Sequence, residues 1–164
     1  MSFPVRERIV TARLVLEPLS TARAAAILRG DLSELRPGEG WPHADTCDGL
    51  RLGLAEGHEP GWLVELDGTV IGDCGTHGPP DERGDVEIGY GLAEPYRRRG
   101  YGSELVVALA AWLGRQPGVR RIVAHTVLAG NVASRRALER AGFVLESDDG
   151  ELVFYARPAQ GAQE

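Results

Sequence analysis

Arg97, Arg98, Arg99, Gly100, Tyr101 and Gly102, followed by Ser103 and Glu104, have the types and spacing to hold a diphosphate. The stretch lies between a strand pattern and an apolar-periodic helix pattern. Such a turn leaves backbone N–H groups unpaired at a helix start, where the positive end of the helix dipole favours an anion. Gly100 and Gly102 carry no Cβ, so phosphate oxygens can approach the main chain. Three arginines add charge-assisted donors at the rim. The spacing differs from the two commonest phosphate loops. No Gly-Lys-Ser/Thr closes it, and no Gly-x-Gly-x-x-Gly opens a strand–helix–strand unit, which argues against a P-loop nucleotidase and a dinucleotide fold.

The elements that must position this turn are legible on both sides of it. Asp85 to Leu92 alternates, with Val86, Ile88, Tyr90 and Leu92 on one face and Asp85, Glu87, Gly89 and Gly91 on the other. After the turn, Leu105, Val106, Leu109, Trp112 and Leu113 form one helical stripe, which Pro117-Gly118 ends. Upstream, 13–19 reads as a strand, and Ser20 or Thr21 caps an alanine-rich helix to about Arg29. A glycine- and proline-rich loop follows, then a helix over about 44–56 capped near Asp45 or Thr46. Asp67-Gly68 joins strands 62–66 and 69–73 as a two-residue hairpin. Downstream, 121–127 reads as a strand, Asn131 caps a helix stopped by Gly142, and short strands follow at about 143–147 and 151–157. The tail after Pro158 reads as frayed. Strands and helices interleave with hairpins at both ends, so the expectation is a mixed α/β (α+β) fold whose central sheet of about seven strands is mostly antiparallel, with flanking helices. One domain over 1–164 is expected, ordered from about 11 to 158.

Composition narrows the partners. Hydrophobic residues make up 43% and charged residues 26%, as in ordinary globular proteins. The net charge of −6 argues against a nucleic-acid-binding surface, so the arginines at 97–99 are a local patch for a small anion. The two cysteines, Cys47 and Cys74, have no metal-site or disulfide spacing, so no metal is expected. The first eight residues carry charges where a signal peptide needs an apolar core, and no run is long enough to span a membrane. A cytoplasmic protein with no membrane partner is expected, as a monomer or homodimer.

These residues resemble the GCN5-related N-acetyltransferase (GNAT) superfamily. Arg97 to Gly102 is similar to its acetyl-CoA motif, Arg/Gln-x-x-Gly-x-Gly/Ala. Asn131 to Ser134, through Gly142-Phe143, resembles its second segment. Thr11 to Leu16 and Glu87 to Tyr90 are more specifically similar to the branch that acetylates ribosomal-protein N-terminal alanines. The resemblance implies that acetyl-CoA is the acetyl donor, with its diphosphate on the turn and its pantetheine arm along strand 85–92. Tyr90, Gly91 and Leu92 would then serve the pantetheine, beside the room left by Gly89 and Gly91. Arg97 to Ser103, Asn131 and Ser134 would hold the cofactor, and Arg135 would reach the adenosine 3′-phosphate.

Transfer to an amine needs a neutral nucleophile and a proton for the departing thiolate. Glu87 is the expected base. It lies five residues upstream of Leu92, about 17 Å along an extended strand, a span comparable to a pantetheine arm. Asp73 and His77 are its rivals, and Asp85 is a weaker one. Many relatives carry a tyrosine acid seven residues after the asparagine; here that position is Leu138. Ser134, Tyr90, a water or no dedicated acid remain open. Trp41, His43 and Asp45 lie in the loop that the resemblance sets beside the acceptor, where Trp41 could wall a pocket and His43 or Asp45 could hold an ammonium. His125 reads as structural. The acceptor is expected to be a protein N-terminal α-amine or a small-molecule amine. A non-catalytic acyl-CoA-binding module is the alternative.

Overall fold

The computed structural model describes residues 6–159. The tail beyond Ala159 and residues 1–5, on which the reading of the N-terminus partly rests, lie outside the described residues. The order is β1 (Ile9–Val10), β2 (Leu14–Pro18), α1 (Thr21–Leu28), α2 (Ala44–Ala55), β3 (Trp62–Leu66), β4 (Thr69–Thr76), β5 (Asp85–Leu92), a 3-10 turn (Glu94–Tyr96), α3 (Tyr101–Gly114), β6 (Arg121–Leu128), α4 (Val132–Arg140), β7 (Val144–Asp148) and β8 (Leu152–Pro158).

The strands form one sheet of eight in the order β1-β2-β3-β4-β5-β6-β8-β7. Every pair is antiparallel except β5 with β6. The mixed, mostly antiparallel fold expected from sequence is therefore present, with eight strands rather than about seven. The added one is β1, whose two residues pair with β2 and are too few to show alternation. The β3–β4 hairpin turns on Asp67 (φ 50°) and Gly68 (φ 82°), the double positive φ of a type I′ turn.

Both faces of the sheet are covered. On one, Leu105, Leu109 and Leu113 of α3 are fully buried with Val86, Ile88 and Trp62. Each such leucine is worth ~2 kcal/mol by burial. Trp62 meets Trp112 of α3 edge-on at 5.0 Å. On the other face, Ala24 and Ile27 of α1 and Leu50 of α2 pack with Leu63 and Val70. The alternation of β5 thus sends Ile88, Tyr90 and Leu92 toward the α3–α4 layer, and Glu87, Gly89 and Gly91 toward the α2 layer. No helix among the described residues is long and apolar enough to cross a membrane.

Candidate active site

The parallel pairing of β5 with β6 covers only Asp85–Arg121, Val86–Ile122 and Glu87–Val123, and then stops. The closed end is pinned by Arg121, whose Nη2 lies 2.9 Å from Asp85 Oδ2 and whose Nη1 lies 3.0 Å from Glu146 Oε1. Asp85 is thus occupied as a structural ion-pair partner. On the other side of β5, His77 N–H donates to Glu87 O and Ala93 N–H donates to Ile71 O. Antiparallel alternation then turns the main-chain groups of Ile88, Tyr90 and Leu92 toward the side where β6 has departed. Leu92 O is taken by Arg97 Nε at 2.9 Å. Tyr90 is therefore the residue of this edge best placed to offer its main chain to a ligand, and Arg97 fastens the strand end to the phosphate turn.

A cleft of about 890 Å³ follows β5 from the α3–α4 layer to the α2 layer. Its first half is the expected phosphate site. Gly100 caps α3 at φ 85°, with no side-chain cap, so the first-turn N–H groups have no such partner. Arg97, Arg98, Gly100, Gly102 and Ser103 line this half. An added Cβ at Gly102 would find its nearest heavy atom, Leu92 Cδ1, at 4.0 Å, so this flank is open. The arrangement fits a diphosphate. Arg99 and Tyr101 do not line the cleft: Arg99 O accepts from Arg13 Nη1, and the Arg13 guanidinium lies over the Tyr101 ring at 4.4 Å.

Asn131 and Ser134 also line this half, and Asn131 Oδ1 caps α4 by accepting from Ser134 N–H. The Tyr90 phenol is 2.6 Å from Ser134 Oγ. Burial pushes the Tyr90 phenol above its usual value, against the opposing pull of the Ser134 bond. Leu138 is fully buried, as its place in the helix stripe requires. Arg135 is turned away from the cleft. Its Nε bonds Tyr155 Oη at 3.1 Å and its Nη1 bonds Ala129 O at 2.9 Å. Arg136 and Arg140 line the cleft in its stead. With Ala133 and Ala137 they form an i, i+3, i+4, i+7 stripe, a periodicity that could have found them.

The second half lies against α2. His43 caps this helix, its Nδ1 accepting from Thr46 N–H, where Asp45 or Thr46 was expected. His43 and Asp45 line the cleft. Trp41 does not; it is 4% exposed and lies behind the lining, its Nε1 donating to Asp73 Oδ2 at 3.0 Å. The expected pocket wall is a buried support. Thr46 Oγ1 donates to the same oxygen at 2.7 Å. Burial pushes the Asp73 carboxyl above the usual carboxylate range. Bonds from Thr46 and Trp41 and the neighbouring His43 pull it down, and Asp45 adds to the rise.

The face of β5 that carries Gly89 and Gly91 is approached by two histidines. A Cβ on Gly89 would meet His77 Nε2 at 2.8 Å, and one on Gly91 would meet His43 Cε1 at 3.3 Å. Both glycines let histidines close on the strand. Glu87 shares that face at the last paired position but does not itself line the cleft. Its Oε1 is 3.7 Å from Nδ1 of His125, whose ring stacks on Phe154 at 4.2 Å. Of the rivals, Asp73 and His77 line the cleft.

Comparison with known proteins matches this geometry. Residues 13–144 match the family described as "Acetyltransferase (GNAT) domain". The uncharacterized N-acetyltransferase YjdG of Bacillus subtilis (strain 168) is 29% identical over 120 residues, covering 68% of this chain and 71% of that protein. Mycobacterium smegmatis RimJ, solved in complex with CoA-disulfide, superposes with a TM-score of 0.70 at 22% identity, covering 100% of this chain and 93% of that one. RimL, a ribosomal L7/L12 alpha-N-protein acetyltransferase solved with coenzyme A, gives a TM-score of 0.67 at 21% identity, covering 93% and 98%. The fold, the parted strands and the family match lead to one conclusion: the chain belongs to the GNAT acetyltransferase family and is an acetyl-CoA-dependent acetyltransferase.

Proposed function

We propose that this enzyme moves the acetyl group of acetyl-CoA to a primary amine, by direct attack in a ternary complex with no acetyl-enzyme. One observation carries the reading: the cleft follows β5 from a half lined by Arg97, Arg98, Arg136 and Arg140 to a half lined by Asp45, Asp73, Glu56 and Glu59. The first suits a diphosphate and the second an amine that arrives as a cation. Holding both reactants side by side supplies much of the rate. A protein N-terminal α-amine is the first acceptor, supported by the likeness to RimL and RimJ; a small-molecule amine is the second.

In this reading the first turn of α3 and its arginines hold the diphosphate. The Tyr90 main chain and Asn131 hold the pantetheine. Glu87, where β5 and β6 part, takes the amine proton through water. Ser134, paired with Tyr90, stands on the donor side, where the thiolate leaves. Neither cysteine is needed. Burial pushes the Cys74 thiol well above its usual value, which disfavours the nucleophilic thiolate.

The test is release of free thiol from acetyl-CoA, with peptides bearing free N-termini, the same peptides N-acetylated, and a set of small amines. Release that needs the free amine, with the acetyl group found on that nitrogen, supports the reading. Acetyl-CoA binding without transfer to any amine overturns it.

A further inference from the structure

Asp73 is a mostly buried carboxylate with half of its hydrogen-bonding capacity committed. Trp41 Nε1 and Thr46 Oγ1 both donate to Oδ2. Oδ1 takes no hydrogen bond from the described residues, and Asp73 lines the cleft. The two donors are neutral, so they orient the carboxylate without balancing its charge. A buried carboxylate without a full counter-charge is costly, and its natural remedy is a cation on the open oxygen.

The surroundings fit such a cation. Asp73 sits opposite Gly91 in the β4–β5 ladder, on the acceptor face and beside the point where His43 approaches Gly91. Gly49 and Gly53 of α2 also line the cleft, and a Cβ on either would meet nothing within 4 Å. At these two positions α2 leaves the cleft unfilled.

We infer that Asp73 is the acceptor-binding residue: its Oδ1 receives the ammonium form of a primary amine and fixes the nitrogen on the acceptor side of β5, with Trp41 and Thr46 setting the carboxylate's orientation. The inference rests on the acetyl-transfer reading and deepens it. It makes the substrate class alkylammonium rather than a neutral amine or alcohol of the same shape. It also separates two duties, since Asp73 binds and orients the cation and is not itself the base. The ionisable groups around Asp73 are His43 and Asp45 at the start of α2 and Cys74 beside it, with His77 four residues farther on, just past the end of β4. Asp45 is exposed, whereas Asp73 is held in the wall of the cleft.

The test measures binding of phenethylamine, a cation at neutral pH, and of phenethyl alcohol, its uncharged analogue, to the enzyme loaded with coenzyme A, by ligand-observed NMR. Wild type is expected to prefer the amine by at least about tenfold, the scale of one charge-assisted hydrogen bond. Asp73→Asn keeps an oxygen for Trp41 and Thr46. It should retain the wild-type circular dichroism and coenzyme A affinity while the preference falls to within about threefold, the residue left by weak surface charges. Asp48→Asn, on the same helix but outside the cleft lining, should keep the preference. Equal affinity of wild type for amine and alcohol overturns the assignment without any variant, and so does an undiminished preference in Asp73→Asn. Thiol release by wild type reports on the acetyl-transfer reading separately, so the two ideas fail in different experiments.

Discussion

Tyr90 of β5 and Ser134 of α4 meet with their oxygens 2.6 Å apart in the cleft that the phosphate turn also lines. Leu138, one turn further along α4 than Ser134, is buried and carries no acid. The phenol beside Ser134 belongs to the strand.

Burial holds the Tyr90 phenol above its usual value, so it is protonated at neutral pH; in the proposed mechanism the Tyr90–Ser134 pair supplies the proton for the leaving thiolate. Tyr90→Phe and Ser134→Ala should each lower kcat by roughly 10- to 100-fold, at or below the usual range for a lost general acid. Acetyl-CoA affinity by calorimetry should stay within about threefold, because Tyr90 would serve the pantetheine through its main chain. Unchanged kcat in both variants, with chemistry rate-limiting, removes the pair from the mechanism.

Glu87→Gln keeps size and some hydrogen bonding but removes the capacity to take a proton. Turnover should fall about tenfold or more, with acetyl-CoA affinity retained. The loss should be largest at low pH, where few acceptor molecules are neutral, and should shrink as pH nears the amine's pKa. A pH–rate profile matching wild type would move the role of base to His77.

The two turn glycines should separate. Gly100 sits at φ 85°, and a Cβ there would lie 3.2 Å from Arg13 Nη2. Gly100→Val should therefore cost both stability, by about 1–2 kcal/mol of left-handed strain, and coenzyme A affinity. Gly102 is helical and its Cβ direction is open, so Gly102→Val should leave the melting temperature within about 4 °C. It should still weaken coenzyme A binding more than tenfold by crowding the N–H groups. Unchanged affinity in Gly102→Val, by calorimetry, contradicts the phosphate site.

Glu104 ties the first turn of α3 to the chain entering β2. It accepts from Thr11 Oγ1 and from both N and Nε of Arg13. Burial pushes its carboxyl up, but together the Thr11 and Arg13 interactions outweigh that and leave it below the usual value. Because the folded value is lowered, the stabilisation is complete above the ordinary glutamate pKa and is lost as pH falls through the folded one. Glu104→Gln should therefore cost about 1–2 kcal/mol in urea denaturation at neutral pH. The gap to wild type should narrow as pH falls below the ordinary glutamate range. A gap that persists there would assign the loss to packing rather than charge.

What the sequence determined by itself is local. The phosphate turn, the α3 stripe, the Asp67-Gly68 hairpin, the Asn131 cap and the Gly142 stop are each settled by residues within a few positions of one another, through φ preference, capping and periodicity. Contacts between distant segments were decided by the tertiary structure. Arg135 and Arg136 are adjacent, and only the rotation of α4 against β8 turns one into Tyr155 and the other into the cleft. Trp41 reads as a pocket wall until the packing of α2 on β4 places it behind Asp73. Glu87 reads as the residue nearest the chemistry, whereas the sheet places it at the last rung before β5 and β6 part. The Tyr90–Ser134 and Asp73–Thr46 pairs join residues 44 and 27 positions apart, beyond any periodicity that a single strand or helix can carry. Backbone preference acts between neighbours, while side-chain pairing depends on how whole elements rotate and dock, and that is set only when the core closes.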